Sequence, residues 1–314
     1  MRILVVGAGA IGGYFGGRLL EAGRDVTFLV RPRRAAQLAK TGLVITSRFG
    51  NVSLPSPPTV TADVLREPFD LIFLSCKSYD LESAVDSFAP AVGTNTAILP
   101  LLNGMRHMDY LTERFGRGNV LGGQCQISTT LDAEGRVLHL NDLHFLSFGE
   151  TDGTTSQRAQ AIAESFAGAR FESKLSNAIL QEMWEKWVLI AAIAGITCLM
   201  RASVGDIVAA NEVGLSTALL DECAAIAASH GFAPSAPFLA RARTMITTPG
   251  STFAASMLRD IEKGAPIEAD HIVGDLLHRG AGSSSEHPLL RIAYAHLKAY
   301  EARRTRESKV SQAA

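Results

Sequence analysis

The chain has 314 residues, 47% of them hydrophobic, with 30 Lys and Arg set against 31 Asp and Glu. That length allows two domains with sizeable cores, and the balanced charge excludes nucleic acid or an acidic surface as a partner. Four scattered cysteines (Cys76, Cys125, Cys198 and Cys223) read as free thiols in a reducing compartment, and the dispersed histidines lack metal-ligand spacing, so no metal is expected.

The first thirty-one residues carry the strongest signal. Ile3 to Val6 is an apolar, β-branched run that predicts a buried strand. It enters a Gly7-x-Gly9-x-x-Gly12 turn and then a helix-like run to Gly23. Gly7 permits the tight turn, Gly9 lets a pyrophosphate approach the backbone, and Gly12 lets the helix pack closely on the strand. The helix amino terminus then offers N–H groups and a positive dipole end to phosphate. Gly7, Gly9, Ala10, Ile11 and Gly12 are therefore cofactor-binding candidates. A second apolar strand from Asp25 ends in Arg31, with Arg33 and Arg34 behind it and no carboxylate in reach. An acid there would bind the ribose of NAD, whereas Arg accommodates the 2′-phosphate of NADP. The expected cofactor is NADP(H).

Residues 32–41 predict a second helix. The strand-like Leu43 to Pro58, broken by Gly50 and prolines, predicts a hairpin on the sheet edge. Phe69 to Ser75 and Thr96 to Leu102 predict two further buried strands. They run into Cys76-Lys77-Ser78-Tyr79 and Asn103-Gly104-Met105. Ligands of open α/β sheets bind beyond the carboxyl ends of strands, which makes Lys77 and Asn103 site candidates. From Val120 to Gly149 short strands around the turn Asp132-Ala-Glu-Gly135 predict antiparallel strands added to the parallel sheet. A helix over 155–168 and a strand over Arg170 to Lys174 follow.

From Asn177 onward only helix patterns occur. The fold expected is α/β, with a Rossmann-type doubly wound sheet over 1–176 followed by an all-helical domain over 177–314. The apolar run Trp187 to Met200 is shorter than the roughly 20 residues a membrane span needs. With no signal-peptide pattern at the N-terminus, no membrane and a cytoplasmic location are expected. Lys186 sits between Trp184 and Trp187. Desolvation there would lower its pKa and make it a usable acid, while a pair with Glu182 on a wet face is the competing reading. Ser256 and Glu268, read alone, would pass as surface or capping residues.

Together these pieces resemble the ketopantoate reductases (2-dehydropantoate 2-reductases) over essentially the whole chain. The matching parts are the Gly7–Gly12 turn, Arg31, Cys76-Lys77, Asn103-Gly104-Met105, Trp184-Glu-Lys186, Ser256-Met257-Leu258-Arg-Asp260 and Glu268-Ala-Asp270. The resemblance implies an active site in a cleft between the two domains. It implies Lys186 as the group that polarises the ketone and supplies the proton. It implies Glu268 as the acid holding that lysine and the cofactor, Asn103 as a contact to cofactor and substrate, and Ser256 as a substrate ligand. Lys77 and Arg31 become cofactor-side cations. The partner implied is a small 2-oxo acid.

One departure bears on the substrate. The family carries asparagines after the lysine that bind the substrate's polar groups, and the aligned positions here are Ile190, Ala194 and Val204. Thr197 or Arg201 could take over. Otherwise a paralogue acting on a more apolar 2-oxo acid is implied. Two further readings are a non-catalytic NADP-binding redox sensor and a 6-phosphogluconate or glycerol-phosphate type dehydrogenase. The second lacks its phosphate clamp, since only Arg201, Arg241 and Arg243 stand nearby. The apolar helical domain could form a homodimer, and burial within one subunit explains it equally well.

Overall fold

A computed structural model describes residues 1–281 and 286–313. It divides into two compact units. One is Met1–Leu102 with His107–Leu180, and the other is Asn103–Arg106 with the chain from Gln181 onward. The sequence-derived boundary at Ser176 lies just before that division.

In chain order the first part contains β1 (Arg2–Val6), α1 (Ala10–Glu21), β2 (Asp25–Leu29), α2 (Pro32–Thr41), β3 (Leu43–Thr46) and β4 (Val52–Leu54). It continues with β5 (Thr59–Val60), β6 (Leu71–Leu74), α3 (Leu81–Phe88), β7 (Ala97–Pro100) and α4 (Arg106–Phe115). It closes with β8 (Leu121–Leu131), β9 (Val137–Glu150), α5 (Gln157–Phe166) and β10 (Glu172–Leu175). The main sheet has the order β5-β2-β1-β6-β7, and every pairing in it is parallel. Val6 is level with Leu29 and with Leu74, and Leu74 with Pro100. The carboxyl ends of these strands therefore form one edge, where Gly7, Arg31 and Lys77 follow. Both faces are covered, so β1 from Ile3 onward and all of β6 are apolar rather than alternating.

The added strands meet this sheet at its β7 edge through an isolated parallel bridge, Ile98↔Val120, and otherwise pair among themselves rather than continuing its ladder. They form a second sheet of order β10-β9-β3-β4, with β8 on β9. The predicted hairpin is present as β3 and β4, but it lies in the second sheet. α1 packs against both sheets. A Cβ on Gly16 would stand 2.7 Å from the Phe28 ring and 3.0 Å from Val5 of the main sheet. A Cβ on Gly17 would stand 2.7 Å from Ile45, and one on Gly13 2.9 Å from Val137, both of the second sheet. Phe166 of α5 joins the sheets elsewhere, touching Phe73 and Phe148 edge-on.

The turn at Asp132–Gly135 is as expected, with Asp132 N–H donating to the Arg136 carbonyl at 3.1 Å. β9 runs further than the sequence suggested. Its pairing jumps from Ile127↔His144 to Thr129↔His139 across a bulge. The Asn141 side chain fills that gap by accepting from Ser128 N–H at 2.9 Å.

The second unit contains α6 (Ile179–Met200), α7 (Val204–Ala209), α8 (Val213–Ser229), α9 (Ala236–Thr247), α10 (Ser256–Glu262), a π turn at Asp270–Gly274, α11 (Asp275–Gly280) and α12 (Pro288–Ala313). α6 begins before the apolar run and reaches 22 residues, long and apolar enough to cross a bilayer by composition. Two-thirds of its apolar window is buried within the protein, 67%, as befits a core helix. Residues 191–198 are all buried, so that stretch of α6 is covered around its whole circumference. None of the four cysteines forms a disulfide, and burial pushes the Cys198 thiol up to about 12.

Gly12 makes the tightest contact of α1. An added Cβ would lie 2.1 Å from the Gly7 carbonyl oxygen and 2.3 Å from Ser75 Oγ. Backbone cannot yield as a flexible side chain can. We expect Gly12→Ala to lower stability by about 1–3 kcal/mol, although alanine is the better helix former by roughly 1 kcal/mol. A lower urea midpoint at unchanged slope is the check, and an unchanged midpoint would refute the packing argument.

Candidate active site

At the end of β1 the chain turns through Gly7, whose φ of +93° is a conformation that favours glycine. Gly7 N–H donates to the Leu29 carbonyl at 2.9 Å, which fixes the turn against β2. α1 starts after Gly9, and no side chain caps it. Its first-turn N–H groups at Ala10, Ile11 and Gly12 therefore point out of the helix end. A Cβ at Gly9 would meet nothing within 4 Å. Protein packing does not require glycine there, whereas close approach of an outside group does. The turn thus fits a dinucleotide pyrophosphate.

Arg31 follows β2 and is exposed. A carboxylate does reach it, contrary to the sequence reading. Asp80, distant in sequence, places Oδ1 2.6 Å from Arg31 Nη2. Asp80 closes a short 3-10 turn, Ser78–Asp80, that begins after Lys77 at the end of β6. Arg34 is committed to structure. Its guanidinium donates to the carbonyls of Ala8 at 3.1 Å and Gly135 at 3.0 Å, and to Gln37 Oε1 at 2.7 Å. Lys77 is exposed at the same strand edge.

In the second unit three segments meet around one π turn. Trp187, next to Lys186 on α6, donates its indole N–H to the Ile272 carbonyl at 2.8 Å. Ile272 N–H donates to the Glu268 carbonyl at 3.0 Å. His271 is buried, with a ring hydrogen bond to the Asn103 main chain. The Asn103-Gly104 loop lies so close that a Cβ on Gly104 would be 2.8 Å from the His271 carbonyl oxygen. The segments bearing Lys186, Glu268 and Asn103 are thus fastened to a single element, and all three residues are half-buried.

α12 holds the π turn from its other side. Tyr294 OH donates to Asp270 Oδ1 at 2.6 Å, and Lys298 Nζ bridges Asp270 and Glu301. Burial opposes ionisation of Asp270, and the Tyr294 and Lys298 hydrogen bonds outweigh it and keep its carboxyl below the ordinary range. Ser256 is exposed at the start of α10.

The positions where the resemblance implies asparagines differ in setting. Ile190 is half-buried, while Ala194 and Val204 are buried at 3% and 1% exposure. Thr197 does not replace them. It is 0% exposed, its hydroxyl donates to the Ile193 carbonyl at 2.7 Å and accepts from Ala255 N–H at 3.3 Å. That hydroxyl ties the segment leading into α10 to α6. Arg201 is exposed beyond the end of α6 with φ +54°.

Residues 3–153 match the family described as ketopantoate reductase PanE/ApbA, and residues 178–301 match its C-terminal domain. An uncharacterized oxidoreductase of Bacillus subtilis (strain 168), YkpB, is 41% identical over 306 residues, covering 96% of this chain and 99% of its own. The chain belongs to the ketopantoate reductase family. The crystal structure of 2-dehydropantoate 2-reductase from Methylococcus capsulatus superposes with a TM-score of 0.86 at 26% identity, over 97% of this chain and 98% of that one. The ternary structure of D-mandelate dehydrogenase with NADH and anilino(oxo)acetate shares the fold, with a TM-score of 0.85 at 20% identity over 97% and 100%.

In this family member the sequence reading missed Asp80, His271 and the Tyr294–Lys298 clamp. Each acts through a partner remote in sequence. A histidine three residues after Glu268 was the only available signal, and nothing local marks it as buried.

His271 also sets a pH dependence. Burial lowers its pKa, more than the Glu268 and Asp275 charges raise it. The unfolded chain takes up a proton near pH 6.5 while the folded imidazole stays neutral. Its contribution to stability is therefore complete above about pH 6.5 and lost as pH falls toward the folded value. The thermal midpoint should fall on acidification, and less steeply in His271→Gln. Parallel curves would remove His271 from the account.

Proposed function

We propose that the chain is an NADPH-dependent reductase of 2-oxo acids, with ketopantoate, reduced to (R)-pantoate, as its substrate. The observation that carries the reading is the common anchorage of the Lys186, Glu268 and Asn103 segments on the π turn. A reductase of a ketone needs a proton donor, a group that orients it, and a polar contact to the reacting end, held in fixed relation. The uncapped turn at Gly7–Gly12 and the cation Arg31 support the cofactor assignment.

The cofactor, when bound, supplies hydride to the carbonyl carbon. The remaining work falls to this chain's side chains. Lys186 Nζ meets the carbonyl oxygen as negative charge grows on it and gives it a proton, so that ketone becomes alcohol. The Glu268 carboxylate keeps that ammonium charged and aimed. The Asn103 amide orients cofactor and substrate, and the Ser256 hydroxyl donates to the substrate's polar end.

A second reading keeps the chemistry and changes the acid. Ile190, Ala194 and Val204 are apolar, and the Thr197 hydroxyl is engaged within the fold. A site with fewer hydrogen-bonding partners for a substrate hydroxyl favours a more apolar 2-oxo acid.

The test is NADPH consumption by the purified chain with ketopantoate and with apolar 2-oxo acids in parallel. Ketopantoate turnover, reduced about 10²- to 10⁴-fold in a folded Lys186→Ala variant, is the expected result. Turnover of an apolar acid alone would select the second reading. Binding of NADPH without turnover of any acid would leave a redox-sensing module, and near-full activity of the variant would remove Lys186 as the acid.

A further inference from the structure

We propose that Asp80 determines cofactor specificity. Its carboxylate competes with a 2′-phosphate for Arg31 and accepts from the ribose hydroxyls of NAD(H), so that both dinucleotides are taken. This rests on the dinucleotide reading above. The placement is specific. Arg31 Nη2 and Asp80 Oδ1 are 2.6 Å apart, and Arg31 is the cation at the end of β2. A 2′-phosphate bound by Arg31 would meet this carboxylate at once.

Asp80 ends the 3-10 turn that runs straight into α3, and its side chain makes no bond to that helix. The main chain is nevertheless fixed, with Asp80 N–H donating to the Lys77 carbonyl at 2.9 Å and Ser83 Oγ donating to the Asp80 carbonyl at 3.0 Å. The side chain is directed at Arg31.

Arg34 cannot compensate. It spends its guanidinium on Ala8, Gln37 and Gly135. Asp80 therefore offsets one of the two cations, Arg31 and Lys77, that the sequence assigns to the phosphate. An acid beside the adenine ribose is the usual device for selecting NAD. Here it arrives from the loop after β6, so that one site holds both the phosphate-binding cation and the hydroxyl-binding anion. An ion pair this exposed, 73% and 35%, contributes little to stability, so removing Asp80 leaves the fold intact.

The experiment measures dissociation constants of NADPH and NADH by fluorescence titration of the purified full chain, at low and high salt. Wild type is expected to bind both. Asp80→Asn should tighten NADPH about five-fold and weaken NADH, with the tightening reduced at high salt. Arg31→Ala should weaken NADPH and spare NADH. Asp80→Ser serves if the asparagine variant does not fold, and unchanged urea midpoints separate specificity from structure. An NADPH-to-NADH ratio unchanged by Asp80→Asn or Asp80→Ser overturns the proposal while the dinucleotide reading stands. Failure of wild type to bind either nucleotide overturns both.

Discussion

The architecture of the first unit depends on the bareness of one helix. α1 reads Gly12-Gly13 and Gly16-Gly17, which places pairs of glycines one turn apart on two adjacent faces. One pair faces Val5 and Phe28 of the parallel sheet, and the other faces Leu43, Ile45 and Val137 of the second sheet. Backbone-to-side-chain contact on both sides brings the sheets close enough to share a core. The same closeness aims the helix's amino terminus beyond the strand ends, where phosphate would sit. A helix rich in glycine is intrinsically poor, so here tertiary packing, rather than propensity, holds it.

The helical unit solves a different problem. A π turn frees main-chain groups from the ordinary helical ladder and must find them partners. Trp187 satisfies the Ile272 carbonyl, and Tyr294 and Lys298 hold Asp270. His271 reaches the Asn103 main chain. The irregular element thereby becomes a junction for segments far apart in sequence, each with a candidate functional side chain. Its partners are buried or charged, and a rigid junction is what proton transfer to a ketone requires.

Charge and polarity are distributed sparingly at the candidate sites. Arg34 and Thr197, polar in sequence, are consumed by the fold itself. Arg31 is opposed by Asp80. What remains for ligands is less polar than a residue count along the chain implies.

The sequence by itself determined the β1-turn-α1 unit, the parallel strands, the Asp132–Gly135 turn and the helical second half. Each is encoded by neighbours: an apolar period, a glycine at a positive φ, a turn residue. It also placed Lys77 and Arg31 at strand ends, because a strand's end is a local feature. It could not show that the added strands pair mostly among themselves, since that follows from the pairing of β9 with β3, β8 and β10. It could not find Asp80 beside Arg31, the π turn or the buried state of His271 and Thr197. Those depend on contacts between residues tens of positions apart, and only the tertiary structure decides which remote groups satisfy one another.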